Sequence, residues 1–360
     1  MNTNIIKWNL HQLGWNSEFN RQFKPYALQG YKVGRVISEQ KNYYRLLNEN
    51  GEVLAQVSGK MRFQATVRED FPAVGDWVII SLHDGGERAN IHGILPRQSK
   101  FARKTAGAET VEQIVAANIN TVFLVNALNY DFNIRRMERY LTLAWDSGAS
   151  PVIVLSKADL CDEVPERLVE VKQIALGVPI HVISCLTGEG LNGLVEYLQV
   201  GKTVAMLGSS GAGKSTMLNY FYGHDLQKMQ AIRQGDDRGR HTTTARELVV
   251  LPQGGLMIDT PGMRELQLWG SESGLQDSFG DVEALAKQCR FSDCQHEQEP
   301  DCAVTIALEK GVMDQSRFDS YLKLKKELAY LSRKVNQAEA LAEKAKWKKI
   351  HQQLKSQKNR

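Results

Sequence analysis

"GSSGAGKS", Gly208 to Ser215, decides how this chain is read. It fits the phosphate-loop pattern G-x-x-x-x-G-K-[ST], with the apolar run Val204 to Leu207 before it and the helix-forming "TMLNYF" after it. The glycines at 208, 211 and 213 let the backbone curl until several N–H groups face one anion. Lys214 then reaches the outer phosphates and Ser215 offers its hydroxyl to Mg²⁺, so Gly208, Ser209, Ser210, Gly211, Ala212, Gly213, Lys214, Ser215 and Thr216 are candidate nucleotide-binding residues. Such a loop ordinarily opens its domain, yet here it lies past the middle of 360 residues.

A phosphate loop alone does not separate ATP from GTP. Upstream, "LSKADL" (Leu155 to Leu160) ends an apolar strand pattern, and its Ser156, Lys157, Ala158 and Asp159 resemble the N-K-x-D base loop of GTPases. An Asp there accepts two hydrogen bonds from guanine N1 and N2, where adenine offers no such donors. "SCLTGEG" (Ser184 to Gly190) resembles the second base loop, with Ser184 and Cys185 at its head. Downstream, "GRHTTT" (Gly239 to Thr244) stands where a first switch is expected, with Thr242 and Thr243 as magnesium-side candidates. "DTPG" (Asp259 to Gly262) resembles the second switch, Asp259 facing magnesium and the Gly262 N–H the γ-phosphate. Base loops first, phosphate loop next and switches last is the order of a circularly permuted GTPase.

Around this core the pattern changes twice. Five short strand patterns over 30–95, bounded by Gly, Asn and Asp, suggest a small all-β barrel of the oligonucleotide-binding type, in which Trp77 and most aromatics fill the interior. "SKFARKTAGAET" reads as a polar connector, and strand and helix patterns then alternate as in a doubly wound parallel sheet. From about Asp281 the pattern is helical and charged. The divisions expected are an extension 1–27, a barrel 28–98, a permuted GTPase domain 99–280, a zinc-binding helical domain 281–340 and a basic tail 341–360.

No apolar run is long enough to span a bilayer and no signal peptide is evident, which points to the cytoplasm with no membrane partner. Of five cysteines, Cys289, Cys294 and Cys302 cluster with His296. Three thiolates and one imidazole fill a tetrahedral zinc shell and leave no open position, as in a structural site. Residues 321–360 hold twelve Lys and Arg against three Glu, a candidate polyanion contact. Tyr43, Tyr44, Phe63, Arg62 and Arg68 could give the barrel an RNA-binding face.

Motif order and cysteine spacing together resemble the RsgA (YjeQ or EngC) family of circularly permuted GTPases along nearly the whole chain. The resemblance implies GTP hydrolysis, stimulated by the small (30S) ribosomal subunit, late in that subunit's maturation. It also implies GTP or GDP and rRNA as partners, magnesium with the nucleotide, one structural zinc, and a monomer. His241 matches a family histidine and, with Lys214 and Gly262, is the candidate catalytic group. The chain departs from the family at Ser156, where Asn or Thr is usual. It carries Met263 where classical GTPases have a water-positioning Gln. Two alternatives stay open: an RNA-binding scaffold with slow or no GTP turnover, and an ATP-dependent phosphate-loop enzyme.

Overall fold

A computed structural model gives the fold and describes residues 7–40, 43–104, 112–223, 246–259, 273–296 and 299–333. The N-terminal segment, for which no motif is evident, has a structural role. Asn16 caps helix α1 (Ser17–Ala27) by accepting from the Phe19 N–H. Leu13 and Phe19 are buried, and the Trp15 and Trp77 rings meet edge to face at 4.7 Å.

The barrel strands are β1 (Lys32–Glu39), β2 (Tyr44–Asn48), β3 (Gly51–Val57), β4 (Trp77–His83) and β5 (Arg88–Ile94). They run in the order β1-β2-β3-β5-β4, and β1 pairs with β4 to close the cylinder. A strand pattern reaching Phe63 does not hold. Ser58 accepts from the Met61 N–H, which ends β3 and starts the short helix α2 (Gly59–Gln64). Alternation along β4 sends Val78 and Ile80 into the barrel with Val36, Leu46 and Ile91, and sends Trp77 and Ile79 to the opposite face. Trp77 therefore fills the seam between the barrel and the rest of the chain, not the barrel interior.

The first residues of the expected polar connector form a strand of a β-ribbon, β6 (Lys100–Lys104) against β7 (Glu112–Ala117). The α/β unit follows: β8 (Thr121–Ala127), α3 (Ile134–Asp146), β9 (Ser150–Ser156), α4 (Val164–Ile174) and β10 (Ile180–Val182). A 3-10 helix over Leu191–Leu198 replaces the α-helix expected there. It leads to β11 (Thr203–Gly208), α5 (Lys214–Tyr222), β12 (Glu247–Val250) and β13 (Leu256–Asp259). The order is β10-β9-β8-β11-β13-β12, parallel apart from β12. The strand carrying the phosphate loop is thus central, between β8 and the strand ending at Asp259, and β9, which runs into the first base loop, lies on the far side of β8.

Barrel and α/β sheet are continuous. Ser38 of β1 pairs with Glu247 of β12, giving eleven strands in one sheet. Arg45 of β2 donates to the Glu247 carboxylate at 2.8 Å. Behind this joint Arg35 is fully buried and donates to four acceptors: the carbonyls of Leu13, Gly75 (3.3 Å) and Asn118 (3.1 Å), and the Thr203 hydroxyl (2.9 Å). Those acceptors belong to the N-terminal segment, the barrel, the link between β7 and β8, and the start of β11. Burial brings the guanidinium pKa down to about 9, with the charge of Asp76 opposing the fall.

At the C-terminal end, α6 (Ser273–Ser278), α7 (Gly280–Ala286), α8 (Ala303–Glu309) and α9 (residues 315–333) pack on α3 and on one another. Gly274 lies so close to α3 that a Cβ there would sit 2.5 Å from the Thr142 carbonyl. Among the described residues, helix is therefore already present eight residues before Asp281. Arg317 of α9 binds the buried Glu138 of α3 at 2.9 Å and Asp281 at 2.9 Å, with its guanidinium 4.3 Å from the Phe279 ring.

Candidate functional site

The phosphate loop leaves β11 at Gly208, which runs so close to β8 that a Cβ would lie 2.3 Å from the Val125 carbonyl. Gly211 and Gly213 take the left-handed conformation, φ 73° and 95°, which L side chains resist. The Lys214 ammonium folds back over the loop and donates to the carbonyls of Gly208 (2.8 Å) and Ser209 (2.6 Å). Ser210, Ser215 and Thr216 are exposed at the same rim, and Ala212 is buried beneath it.

The base loop meets the phosphate loop from β9, two strands from β11 across β8. Ser156, the last residue of β9, is buried and its hydroxyl donates to the Ala212 carbonyl at 2.6 Å. The short side chain therefore reaches the phosphate loop directly. Lys157 follows in the left-handed region at φ 60°, an uncommon place for a non-glycine residue and one that recurs at functional sites. This turn brings Ala158 and Asp159 over the mouth, where the Ala158 N–H donates to the Ile183 carbonyl.

Ser184 fixes Asp159. Its hydroxyl accepts from the N–H groups of Leu186 and Thr187, both at 3.2 Å, and donates to Asp159 Oδ1 at 2.5 Å. The exposed Asp159 carboxylate is thereby held through Oδ1. Cys185, half-buried beside it, has its thiol pushed up by burial and by the Asp159 charge. One parallel sheet edge thus gathers all three loops, as expected where ligands bind open α/β sheets. Asp259 closes β13, which pairs with β11 through Ala205 and Ile258. Thr242, Thr243, His241, Gly262 and Met263 lie outside the described residues.

Far along the chain, Cys289, Cys294, His296 and Cys302 bring four ligand atoms within 4.8 Å of one another. Cys289 Sγ is 3.8 Å from Cys302 Sγ and 3.6 Å from His296 Nδ1, and Cys302 Sγ is 3.4 Å from the same nitrogen. A tetrahedron with bonds of about 2.3 Å to sulfur and 2.0 Å to nitrogen has edges of about 3.8 and 3.5 Å, so this donor set fits a metal ion. Burial opposes ionisation of Cys302, but hydrogen bonds from Thr305 and His296 outweigh it and bring the thiol down to about 6. Beside the cluster a cavity of about 550 Å³ is lined by Lys287, Arg290, Phe291 and Lys325 among others.

Comparison with known proteins places this geometry. The RsgA GTPase family model matches residues 94–269. Small ribosomal subunit biogenesis GTPase RsgA of Opitutus terrae is 45% identical over 352 residues, 95% of this chain and 96% of its own. The chain belongs to the RsgA GTPase family. The RsgA 1 protein of Oceanobacillus iheyensis is 47% identical across 90% of this chain and 92% of its own. Among solved structures, YjeQ from Thermotoga maritima superposes with a TM-score of 0.62 at 31% identity, covering 83% of this chain and 99% of its own. YloQ, described as a circularly permuted GTPase, shares the fold at a TM-score of 0.60 and 22% identity. An ABC transporter model also matches, over 191–358, a span that includes the phosphate loop but neither upstream base loop.

Some of the site was missed in the sequence. Asp131, from the loop after β8, accepts from the Ser209 hydroxyl of the phosphate loop, and Arg136, in the first turn of α3, pairs with Asp131. No motif carries them, because the contact is a single hydrogen bond between residues 78 apart.

Proposed function

We propose that this chain hydrolyses GTP to GDP and phosphate, stimulated by the small ribosomal subunit, and acts late in maturation of that subunit while bound to its rRNA. The observation that carries this reading is Asp159, aimed by Ser184 at the mouth of a phosphate loop that Ser156 holds from below. A carboxylate fixed there accepts from guanine N1 and N2 and offers adenine no partner, which argues against an ATP enzyme. Relatives across nearly the full length are named small ribosomal subunit biogenesis GTPases, which supports the ribosomal part.

In this reading Ser156, Lys157, Ala158, Asp159, Ser184 and Cys185 hold the base, and Gly208 to Thr216 hold the phosphates. Lys214 carries charge toward the β/γ-phosphates, where negative charge grows during transfer. Ser215 and Asp259, with Thr242 and Thr243, would hold magnesium, which supplies further neutralisation there. Gly262 would donate its N–H to the γ-phosphate and His241 would orient water. Cys289, Cys294, His296 and Cys302 would hold one structural zinc. The exposed Phe63 and Tyr43 of the barrel, the cavity cations Lys287, Arg290 and Lys325, and the basic tail are proposed RNA contacts. Tyr44 is buried in the barrel core and Arg68 is paired with Glu39, so neither is kept in that face. The domain divisions expected from sequence are retained as the working organisation of a cytoplasmic monomer. Among the described residues no helix is long and apolar enough to cross a membrane.

The test is turnover of GTP and ATP with and without purified small subunits. GTP-selective hydrolysis that rises with subunits and vanishes in Lys214→Ala supports the reading. Equal rates with ATP, or no response to subunits, would sink it.

A further inference from the structure

We propose that Asp131 is a positioning residue for the phosphate loop, and that Arg136 keeps its charge from opposing the nucleotide. The inference rests on reading Gly208 to Ser215 as the phosphate site. Neither residue belongs to any phosphate-loop or base-loop pattern: Asp131 comes from the segment between β8 and α3, and Arg136 from the first turn of α3.

β8 pairs with β11 as far as Val125 and Gly208, so the chain leaving β8 emerges beside the phosphate loop. Asn126 Nδ2 donates to the Asn133 carbonyl at 3.3 Å and the Asp131 N–H donates to Asn129 Oδ1 at 3.1 Å, which shapes this segment. Asp131 then accepts from the Ser209 hydroxyl. The same Ser209 offers its carbonyl to Lys214 Nζ at 2.6 Å. One residue is therefore gripped from both sides, by its side chain from Asp131 and by its backbone from the lysine that faces the phosphates. A hydroxyl–carboxylate hydrogen bond is among the stronger kinds, so it fixes the peptide on which Lys214 rests.

A carboxylate one hydrogen bond from a loop that takes a polyanion is unfavourable unless compensated. Arg136 supplies the compensation, with Nη1 3.1 Å from Asp131 Oδ1 and Nη2 3.0 Å from Oδ2. Its own position is set by Asn133, whose side chain accepts from the Arg136 N–H and caps α3. The arrangement makes the sign of each substitution predictable. Removing the grip loosens the loop. Removing only the cation leaves the grip but adds an uncompensated negative charge, which opposes GTP more than GDP.

The test is titration of full-length protein with fluorescent GDP and a non-hydrolysable fluorescent GTP analogue, with circular dichroism confirming that each variant is folded. Ser209→Ala and Asp131→Ala should each weaken binding by about threefold to tenfold, the worth of one hydrogen bond to a charged group. The double variant should be no weaker than the worse single, because both remove one contact. Arg136→Gln should weaken GTP more than GDP, and more so at low salt, and adding Asp131→Asn should recover most of the loss. Additive Ser209 and Asp131 effects, or no recovery in Arg136→Gln with Asp131→Asn, would overturn the proposal. Lys214→Ala separates the two levels. If it leaves binding intact, the phosphate-site reading itself has failed. If it abolishes binding while the Ser209 and Asp131 variants are inert, only the positioning role has failed.

Discussion

Ser156 stands where the N-K-x-D pattern carries Asn, and its hydroxyl spans the gap to Ala212 at 2.6 Å. Ser156→Ala removes the donor and leaves a buried carbonyl without it. Guanine-nucleotide affinity should fall roughly tenfold, the scale of one unmet buried acceptor, while preference for guanine over adenine persists. Asp159→Asn should do the reverse, since the amide presents a donor where guanine also presents donors; competition by ATP against fluorescent GDP reads the change. These residues were legible in the sequence because their chemistry fixes their spacing. Asp131 was not, because its partner is distant in the chain and the two meet only through strand pairing. Trp77 was half legible: an apolar run such as "WVIIS" announces a strand but not which face meets which core.

Between elements, the firmest tie of the C-terminal helices is α9 on α3. Glu138 is fully buried and accepts from both Arg135 and Arg317, and Arg139 pairs with Glu327 half a helix further on. Arg317→Met strips one partner from that buried carboxylate and should cost about 3 kcal/mol, measured by urea unfolding. The cluster at Cys289 to Cys302 sits on the same group of helices. Chelating its metal should therefore reduce the helical signal of 273–333 while nucleotide binding continues, and unchanged ellipticity after verified metal loss would count against a structural role. Helix periodicity revealed α9 and α3 separately, but not their contact, which is made by charges buried in their shared face.

Across the molecule, one sheet joins barrel and α/β unit, so the two should unfold together. Calorimetry should give a single main transition for this pair, distinct from the chelator-sensitive one. Arg35→Met should lower it, because four acceptors lose one donor; a cost of at least about 3 kcal/mol follows from several unmet buried groups. Barrel and α/β unit each announced themselves by strand spacing. Their junction did not, since Arg35 lies in an ordinary strand pattern and the first 27 residues carry only the aromatic side of a tertiary contact.

Arg35 also sets a schedule for the newborn chain. Its acceptors on Leu13 and Gly75 leave the tunnel early, whereas Thr203 follows 168 residues after it. At synthesis rates of about 5–20 residues per second that interval is on the order of ten seconds. Until β11 arrives, the completed barrel holds a guanidinium that lacks its Thr203 partner, and water must serve in that place. The Arg35 junction is therefore completed only when the strand that delivers the phosphate loop is in place.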